Sequence, residues 1–209
     1  MLKKEREKRT RIETDIMGWE ARIFINANAM SEISTDPNDH IKKGCGLLGI
    51  HHHPNPEERS DIYLLCEPFD PDIGLKYRHG KLKKVEVKKC VERSSSGAER
   101  LVKEKIKVDE LEADLRSMVD NAKQQITLRK RRWYGDGKEV TLVTVGEEGS
   151  TLSQWISICD ESVSSEEQAE TAIKYLSLML PAQLGLSKDQ LGEVVVGSYG
   201  TWLRCCETE

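Results

Sequence analysis

Along this chain apolar and polar residues mostly alternate. From Glu20 to Ile25, Glu20, Arg22 and Phe24 share one face of an extended segment and Ala21, Ile23 and Ile25 the other, the two-residue period of a strand. Asp61 to Glu67 (DIYLLCE) and Gly74 to Arg78 read as two more, the first ended by Pro68 and Pro71. A turn at His79-Gly80 leads into Lys81 to Cys90, where Lys84, Glu86 and Lys88 oppose Val85 and Val87. After a turn at Ser94 to Gly97, Arg100 to Val108 carries Lys103, Lys105 and Lys107 on one side. Gln125 to Trp133 sets Thr127, Arg129 and Arg131 against Ile126 and Leu128, and Tyr134-Gly135-Asp136-Gly137 has hairpin-turn composition. Lys138 to Val145, Ser153 to Asp160 and Glu193 to Trp202 predict three further strands, the last broken by Gly197.

Helical spacing occurs in two places. Asp109 is a fair N-cap for a helix to Lys123, with Leu111, Leu115, Met118, Val119 and Ala122 on one face. Ser164 or Ser165 caps a second, running to Leu180 with Ala169, Ala172, Ile173 and Leu176 aligned and Pro181 as its stop. Ser187 and Gln190 have capping-box spacing. The charged segment 1–15 reads as a loose arm or frayed helix, and 26–60, rich in Gly, Asn, Asp, Pro and His, as an irregular insertion. No βαβ alternation or repeat period appears. The pattern predicts an α+β fold: an antiparallel closed or nearly closed β-barrel with helices packed outside. One domain is expected over 19–204, after a charged arm at 1–18 and before a tail at 205–209.

Composition narrows the picture. The 209 residues hold 32 Lys+Arg against 36 Asp+Glu, 37% hydrophobic and 33% charged, enough apolar residue to build an ordinary core. The apolar runs are too short to span a bilayer, and the charged start lacks the apolar stretch of a secretory signal. Six cysteines form no CxxC pair, which fits reduced thiols in a cytoplasmic protein. The net charge of −4 conceals two opposed regions. Residues 76–107 carry twelve Lys/Arg and four Asp/Glu, and Arg129 to Arg132 are all basic. Residues 146–170 carry seven acids and no Lys or Arg. A polyanion partner is therefore conceivable for an acidic chain.

The strands give that charge its meaning. Lys76/Arg78, Lys84/Lys88, Lys103/Lys105 and Arg129/Arg131 each place cations on one strand face. In an open sheet these faces would meet water. In a closed one they line an interior that must hold anions or water, since unpaired buried cations are costly. Composition alone leaves the two readings even. The run His51-His52-His53 reads as loop rather than metal site, because adjacent side chains of an extended chain diverge. Trp19, Trp133, Trp155 and Trp202 read as barrel packing, and no RRM, KH or helix-turn-helix pattern suggests sequence-specific nucleic-acid binding.

The order of segments adds a resemblance. DIYLL, GLKYRHGK, VEVKK, LVKEKIKV, ITLRKRR, a hairpin, a helix and a terminal VVVGSYGTWL together resemble the CYTH superfamily, the triphosphate tunnel fold of thiamine triphosphatase, class IV adenylate cyclase and inorganic triphosphatases. The resemblance runs from Trp19 to Leu203 and leaves 26–60 largely unmatched. It implies phosphate contacts at Lys76, Arg78, Lys88, Arg129 and Arg131, more loosely at Lys103 or Lys105, and a structural role for Ser198, Tyr199 and Leu203. It implies catalytic and metal-binding roles for Glu20 and Glu86, with Asp160 or Glu161 as further metal ligands for Mg²⁺ or Mn²⁺ in an enzyme. The family's opening E-x-E-x-K is Glu20-Ala21-Arg22-Ile23-Phe24 here, and its later E-x-E strand lacks both acids. Two-metal phosphoryl chemistry needs converging carboxylates. The expectation is thus a protein that binds a triphosphate-containing small molecule or a polyphosphate, with hydrolysis doubtful. A divergent metal-dependent triphosphatase and a non-catalytic protein-interaction scaffold are the alternatives.

Overall fold

The computed structural model describes residues 13–26, 45–46, 50, 57–67, 70–78, 83–122, 124–135, 137–145, 154–179, 182 and 194–206. The His51 to His53 run, the Ser187/Gln190 pair, the His79-Gly80 turn and most of the 26–60 insertion lie outside the described residues.

Nine strands occur among the described residues: β1 (Glu13–Asn26), β2 (Glu57–Leu65), β3 (Ile73–Arg78), β4 (Lys84–Arg93), β5 (Glu99–Lys107), β6 (Gln124–Gly135), β7 (Lys138–Val145), β8 (Gln154–Asp160) and β9 (Val195–Val196). They form one antiparallel sheet in the order β5-β4-β3-β2-β6-β7-β8-β1-β9, and a β5–β1 pairing closes it into a barrel. β1 is the hinge of closure. Its first half pairs with β5 (Trp19 opposite Arg100), its second with β8 (Arg22 opposite Cys159), and the register shifts between Ile16 and Trp19. A bulge of this kind lets one long strand bend from one neighbour to the next.

Closure divides every strand into an outer and an inner face. Outward residues are apolar where helices cover them. Helix α1 (Ala113–Asp120) puts Leu115 onto Leu75, Tyr77, Val85, Val87 and Ile106. Helix α2 (Glu166–Lys174), capped by Ser165, lays Ala169 and Ile173 on Ala21, Ile23, Ile156 and Ile158, and Leu176 of a π-helical turn at Tyr175–Met179 continues the contact. Each such aliphatic side chain contributes about 1.5–3 kcal/mol when fully buried. All four tryptophans are buried, as packing residues should be.

Four boundaries differ from expectation. The first is at β2, which begins at Glu57, inside the segment read as an irregular insertion, and ends at Leu65. β1 begins at Glu13, inside the segment read as an arm. The helix expected from Asp109 is a 3₁₀ turn at Val108–Glu110 followed by α1. The strand expected over Glu193 to Trp202 ends after Val196; Gly197 takes φ 131°, and helix α3 (Tyr199–Cys206) follows, so Cys205 and Cys206 are helical and not tail. Tyr199, Trp202 and Leu203 have helical i, i+3, i+4 spacing, which alternation masked, and Ser198 Oγ accepts the Thr201 amide at 3.3 Å in capping fashion.

Candidate functional site

Helix α3 seals one end of the barrel. Tyr199, Trp202 and Leu203 enter among the inward-facing Phe24, Tyr63, Leu128, Val143 and Trp155. Phe24 stacks on Trp202 with centroids 4.7 Å apart, and Tyr199 meets Phe24 edge-on at 5.0 Å. Above this apolar floor the inner face turns polar on every strand of the barrel.

The first polar layer is self-neutralising. Asp61 of β2 is fully buried and Lys76 and Lys130 both reach its Oδ2, at 3.4 and 3.1 Å, with Arg59 on the same oxygen at 3.1 Å. Lys130 also donates to the Tyr63 hydroxyl at 2.9 Å and stands 3.5 Å from the centre of the Tyr199 ring. Burial, then repulsion from Lys76, pushes the Lys130 ammonium well below its ordinary value. Burial alone would raise Asp61, but Lys76 and Lys130 outweigh it and keep the carboxylate ionised.

Across the barrel, Glu20 accepts from Arg22 Nε at 2.8 Å and Lys88 Nζ at 3.1 Å, and these cations hold its carboxyl well below the usual range against the opposing effect of burial. Arg22 also donates to Glu139 at 3.1 Å and Ser157 at 2.7 Å. Glu86 takes Lys76 at 3.2 Å and Arg78 at 2.5 Å; burial raises its pKa, but the two cations bring it down to about 2.

Beyond this layer lies a cavity of about 480 Å³, bordered by eight Lys/Arg residues and by three acids, Glu57, Glu139 and Glu161. Seven barrel strands supply the cations: Arg22 from β1, Arg59 from β2, Lys76 and Arg78 from β3, Lys88 from β4, Lys103 from β5, Arg132 from β6 and Lys138 from β7. Lys103 makes no ion pair among the described residues; burial lowers its pKa, Glu86 offsets part of that, and repulsion from Arg78 and Lys88 adds to the lowering. The buried Nε atoms of Arg59 and Arg132 have no hydrogen-bond partner among the described residues. Such donors call for an acceptor from water or ligand.

Of the residues expected to contact phosphate, Lys76, Arg78, Lys88 and Lys103 border this cavity. Lys105 shares their face, opposite Glu86, but is exposed. Arg129 and Arg131 do not come to it. In β6 the inward parity is that of Leu128, Lys130 and Arg132, and Arg131 pairs outside with Glu58 at 3.0 Å. The tetrad Arg129 to Arg132 is charged at both parities, so alternation within it does not tell the faces apart. Sequence reading also passed over Arg59, Asp61 and Glu139. The first two were legible: Glu57, Arg59, Asp61 and Tyr63 share one parity, visible once β2 is extended upstream.

For metal binding, Glu20, Cys159 and Glu161 each bring one ligand atom within 4.8 Å of the others, close enough to hold an ion. Glu86 and Asp160 stand outside that group: Glu86 is spent on Lys76 and Arg78, and Asp160 accepts the Ser162 amide at 3.0 Å. Arg22 already occupies the neighbourhood, bonding Glu20 and lying 3.9 Å from Glu161. Burial raises the Cys159 thiol well above its ordinary value, so it stays protonated. Two carboxylate donors, one of them already engaged, are a poor match for the oxygen shell of Mg²⁺ or Mn²⁺.

No protein-family model and no curated protein matches the chain. Among solved structures it is similar to a conserved hypothetical protein from Pyrococcus furiosus (16% identity, 82% of this chain and 94% of that one, TM-score 0.48). It is also similar to a chain of the Schizosaccharomyces pombe Mediator head module (10%, 78% and 95%, 0.47) and to a proposed adenylate cyclase from Bacillus halodurans (10%, 83% and 92%, 0.45). Likenesses this distant carry no argument about family or activity. Among the described residues no helix is long and apolar enough to cross a membrane.

Proposed function

We propose that the protein is a CYTH-like tunnel protein that holds a triphosphate or another polyanion in the barrel without efficient turnover. One observation carries this reading: a cavity of about 480 Å³, inside a closed barrel, has eight cationic residues and three acidic ones on its walls. The surplus of positive charge is held in a low-dielectric enclosure and favours a multivalent anion. Arg22, Arg59, Arg78 and Arg132 supply planar forks for phosphoryl oxygens, and Lys88 and Lys103 supply point charges. Binding would exchange some internal ion pairs for pairs with the ligand, so the affinity rests on the cations in excess, Lys103 foremost.

Turnover is disfavoured by the same walls. Glu20 and Glu86 are tied to cations, which leaves neither free to take a proton from water. The test is calorimetric titration with tripolyphosphate, followed by incubation with thiamine triphosphate, ATP and tripolyphosphate in Mg²⁺ or Mn²⁺. Saturable binding without phosphate release is expected. Rapid release would move the assignment to a divergent metal-dependent triphosphatase, and absence of binding would refute the anion site.

A further inference from the structure

Sheet register places Arg22 inside the acid cluster. Arg22 of β1 stands opposite Cys159 of β8, and Cys159 stands opposite Glu139 of β7, so the three form one row across the inner face. Glu20 precedes Arg22 by two residues and shares its face, and Ser157 and Glu161 lie two residues to either side of Cys159. The guanidinium uses that setting on all sides. Nε donates to Glu20 at 2.8 Å, Nη1 donates to Glu139 at 3.1 Å and to Ser157 at 2.7 Å, and Nη2 lies 3.9 Å from Glu161. The centre of the Tyr199 ring is 4.9 Å from Cζ. Arg22 is only 3% exposed, yet it borders the cavity.

With Arg22 in place the charge of this cluster balances. Lys88 meets Glu20 at 3.1 Å and Arg132 meets Glu139, so Glu20, Glu139 and Glu161 face three cations. A divalent ion held by Glu20, Cys159 and Glu161 would need carboxylate oxygens that Arg22 already engages. It would also add two positive charges beside a cationic wall, in an enclosure of low dielectric. Arg22 does not make room for it, because β1 tethers the side chain and a guanidinium stays charged at any physiological pH. Without that charge one carboxylate would be left uncompensated. At 3.9 Å Nη2 is beyond hydrogen-bond reach of Glu161, which leaves that edge of the fork for a phosphoryl oxygen in the cavity.

Resting on the reading of the cavity as an anion site, we propose that Arg22 is a built-in cation that takes the place of a divalent metal, so that the polyanion is bound metal-free. Glu20, Glu139 and Ser157 hold the guanidinium in position. Mg²⁺ acts on the ligand alone, competing for it in solution.

Tripolyphosphate binding is compared by calorimetry in EDTA and in excess Mg²⁺. Mn²⁺ binding is read from the loss of the free ion's paramagnetic resonance signal. Both are measured for the unaltered chain, Arg22→Ala and Arg22→Lys. The unaltered chain is expected to bind tripolyphosphate fully in EDTA and more weakly in Mg²⁺, and to show no stoichiometric Mn²⁺ site. Arg22→Ala, with space opened and a carboxylate in surplus, should bind one Mn²⁺ and melt at a higher temperature in its presence. Its tripolyphosphate affinity in EDTA should fall by about tenfold, the loss of one charge-assisted contact. Arg22→Lys, which keeps the charge, should exclude Mn²⁺ again. Tripolyphosphate binding that requires Mg²⁺, a Mn²⁺ site in the unaltered chain, or no Mn²⁺ site in Arg22→Ala would each overturn the proposal and leave the anion site standing. If Arg22→Ala does not fold, the two measurements on the unaltered chain decide the matter. If tripolyphosphate binds in neither EDTA nor Mg²⁺, the anion site falls and this proposal with it; the Mn²⁺ titrations need no anion and tell that failure from a failure of Arg22 to act as the cation.

Discussion

The inner face of the barrel has two levels, built from the same strands and many of the same residue types, yet their cations do different work. At the lower level Lys130 and Lys76 converge on Asp61 and the Tyr63 hydroxyl above an aromatic floor. At the upper level Lys103 has no ion pair among the described residues, and the Nε atom of Arg132 lacks a hydrogen-bond partner there. A cation whose donors are satisfied inside the protein belongs to the architecture. One whose donors are left over belongs to whatever enters. Counting cations cannot separate the two levels, but accounting for each donor does.

Asp61→Asn should break the lower level most. It strands Lys130 and Arg59, whose ion pairs among the described residues go to Asp61 alone, in a buried setting. Removing one partner of a buried pair costs about 3–5 kcal/mol, so a loss of that order is expected in urea denaturation. Lys130→Met offers the converse. Asp61 keeps Lys76 and Arg59, the side-chain volume is nearly conserved, and the cost should stay below about 1.5 kcal/mol. Equal losses in the two variants would show that the carboxylate is not the keystone of this level.

Acid should dissolve the wall between the levels. Glu86 has its pKa lowered from 4.5 to about 2 in the folded chain. Its contribution is therefore present above pH 4.5 and lost as pH falls towards 2, a drop of roughly 3 kcal/mol for such a shift. Glu20, held lower still, adds to the loss in the same direction. Glu99, raised by burial, acts oppositely and at higher pH. Glu86→Gln should flatten the stability profile between pH 4.5 and 2; an unchanged profile would mean that its ion pairs contribute nothing net.

The barrel itself was legible because period-2 alternation, turn residues and two amphipathic helices all pointed the same way. Two things hid the site. Strands with charge at every position, such as Arg129 to Arg132, carry no parity signal of their own; only their register with Leu128 and the opposing strand fixes which side chains face in. Closure also brings together residues far apart in sequence. Arg22 meets Glu139 and Ser157 across β7 and β8, a contact that no local spacing announces. The terminal segment failed differently: Val195 to Trp202 is apolar enough for a strand, and the helix begins only because Gly197 turns the chain so that Tyr199 and Trp202 can fill the barrel end.

At the upper level the expected effects are smaller and appear in binding. Arg132→Ala should weaken tripolyphosphate by about tenfold, the loss of one charge-assisted contact. Lys103→Met should weaken binding comparably while leaving folding unharmed or improved by a few tenths of a kcal/mol, since it removes one lysine of a like-charged rung. A variant that loses stability and affinity in step would erase the distinction between the levels.

Arg131→Ala is expected to do least, and it tests the register most directly. Its guanidinium lies one residue from Arg132, so any model in which local positive charge suffices predicts similar losses for both. The structure turns Arg131 outward to Glu58, a pair with both side chains well exposed, worth at most about 1 kcal/mol. Tripolyphosphate affinity in Arg131→Ala should therefore match that of the unaltered chain within about twofold at physiological salt, where surface charges a Debye length away are screened. If Arg131→Ala loses as much affinity as Arg132→Ala, β6 is shifted by one residue, and Lys130 and Arg132 are not the side chains that face the cavity.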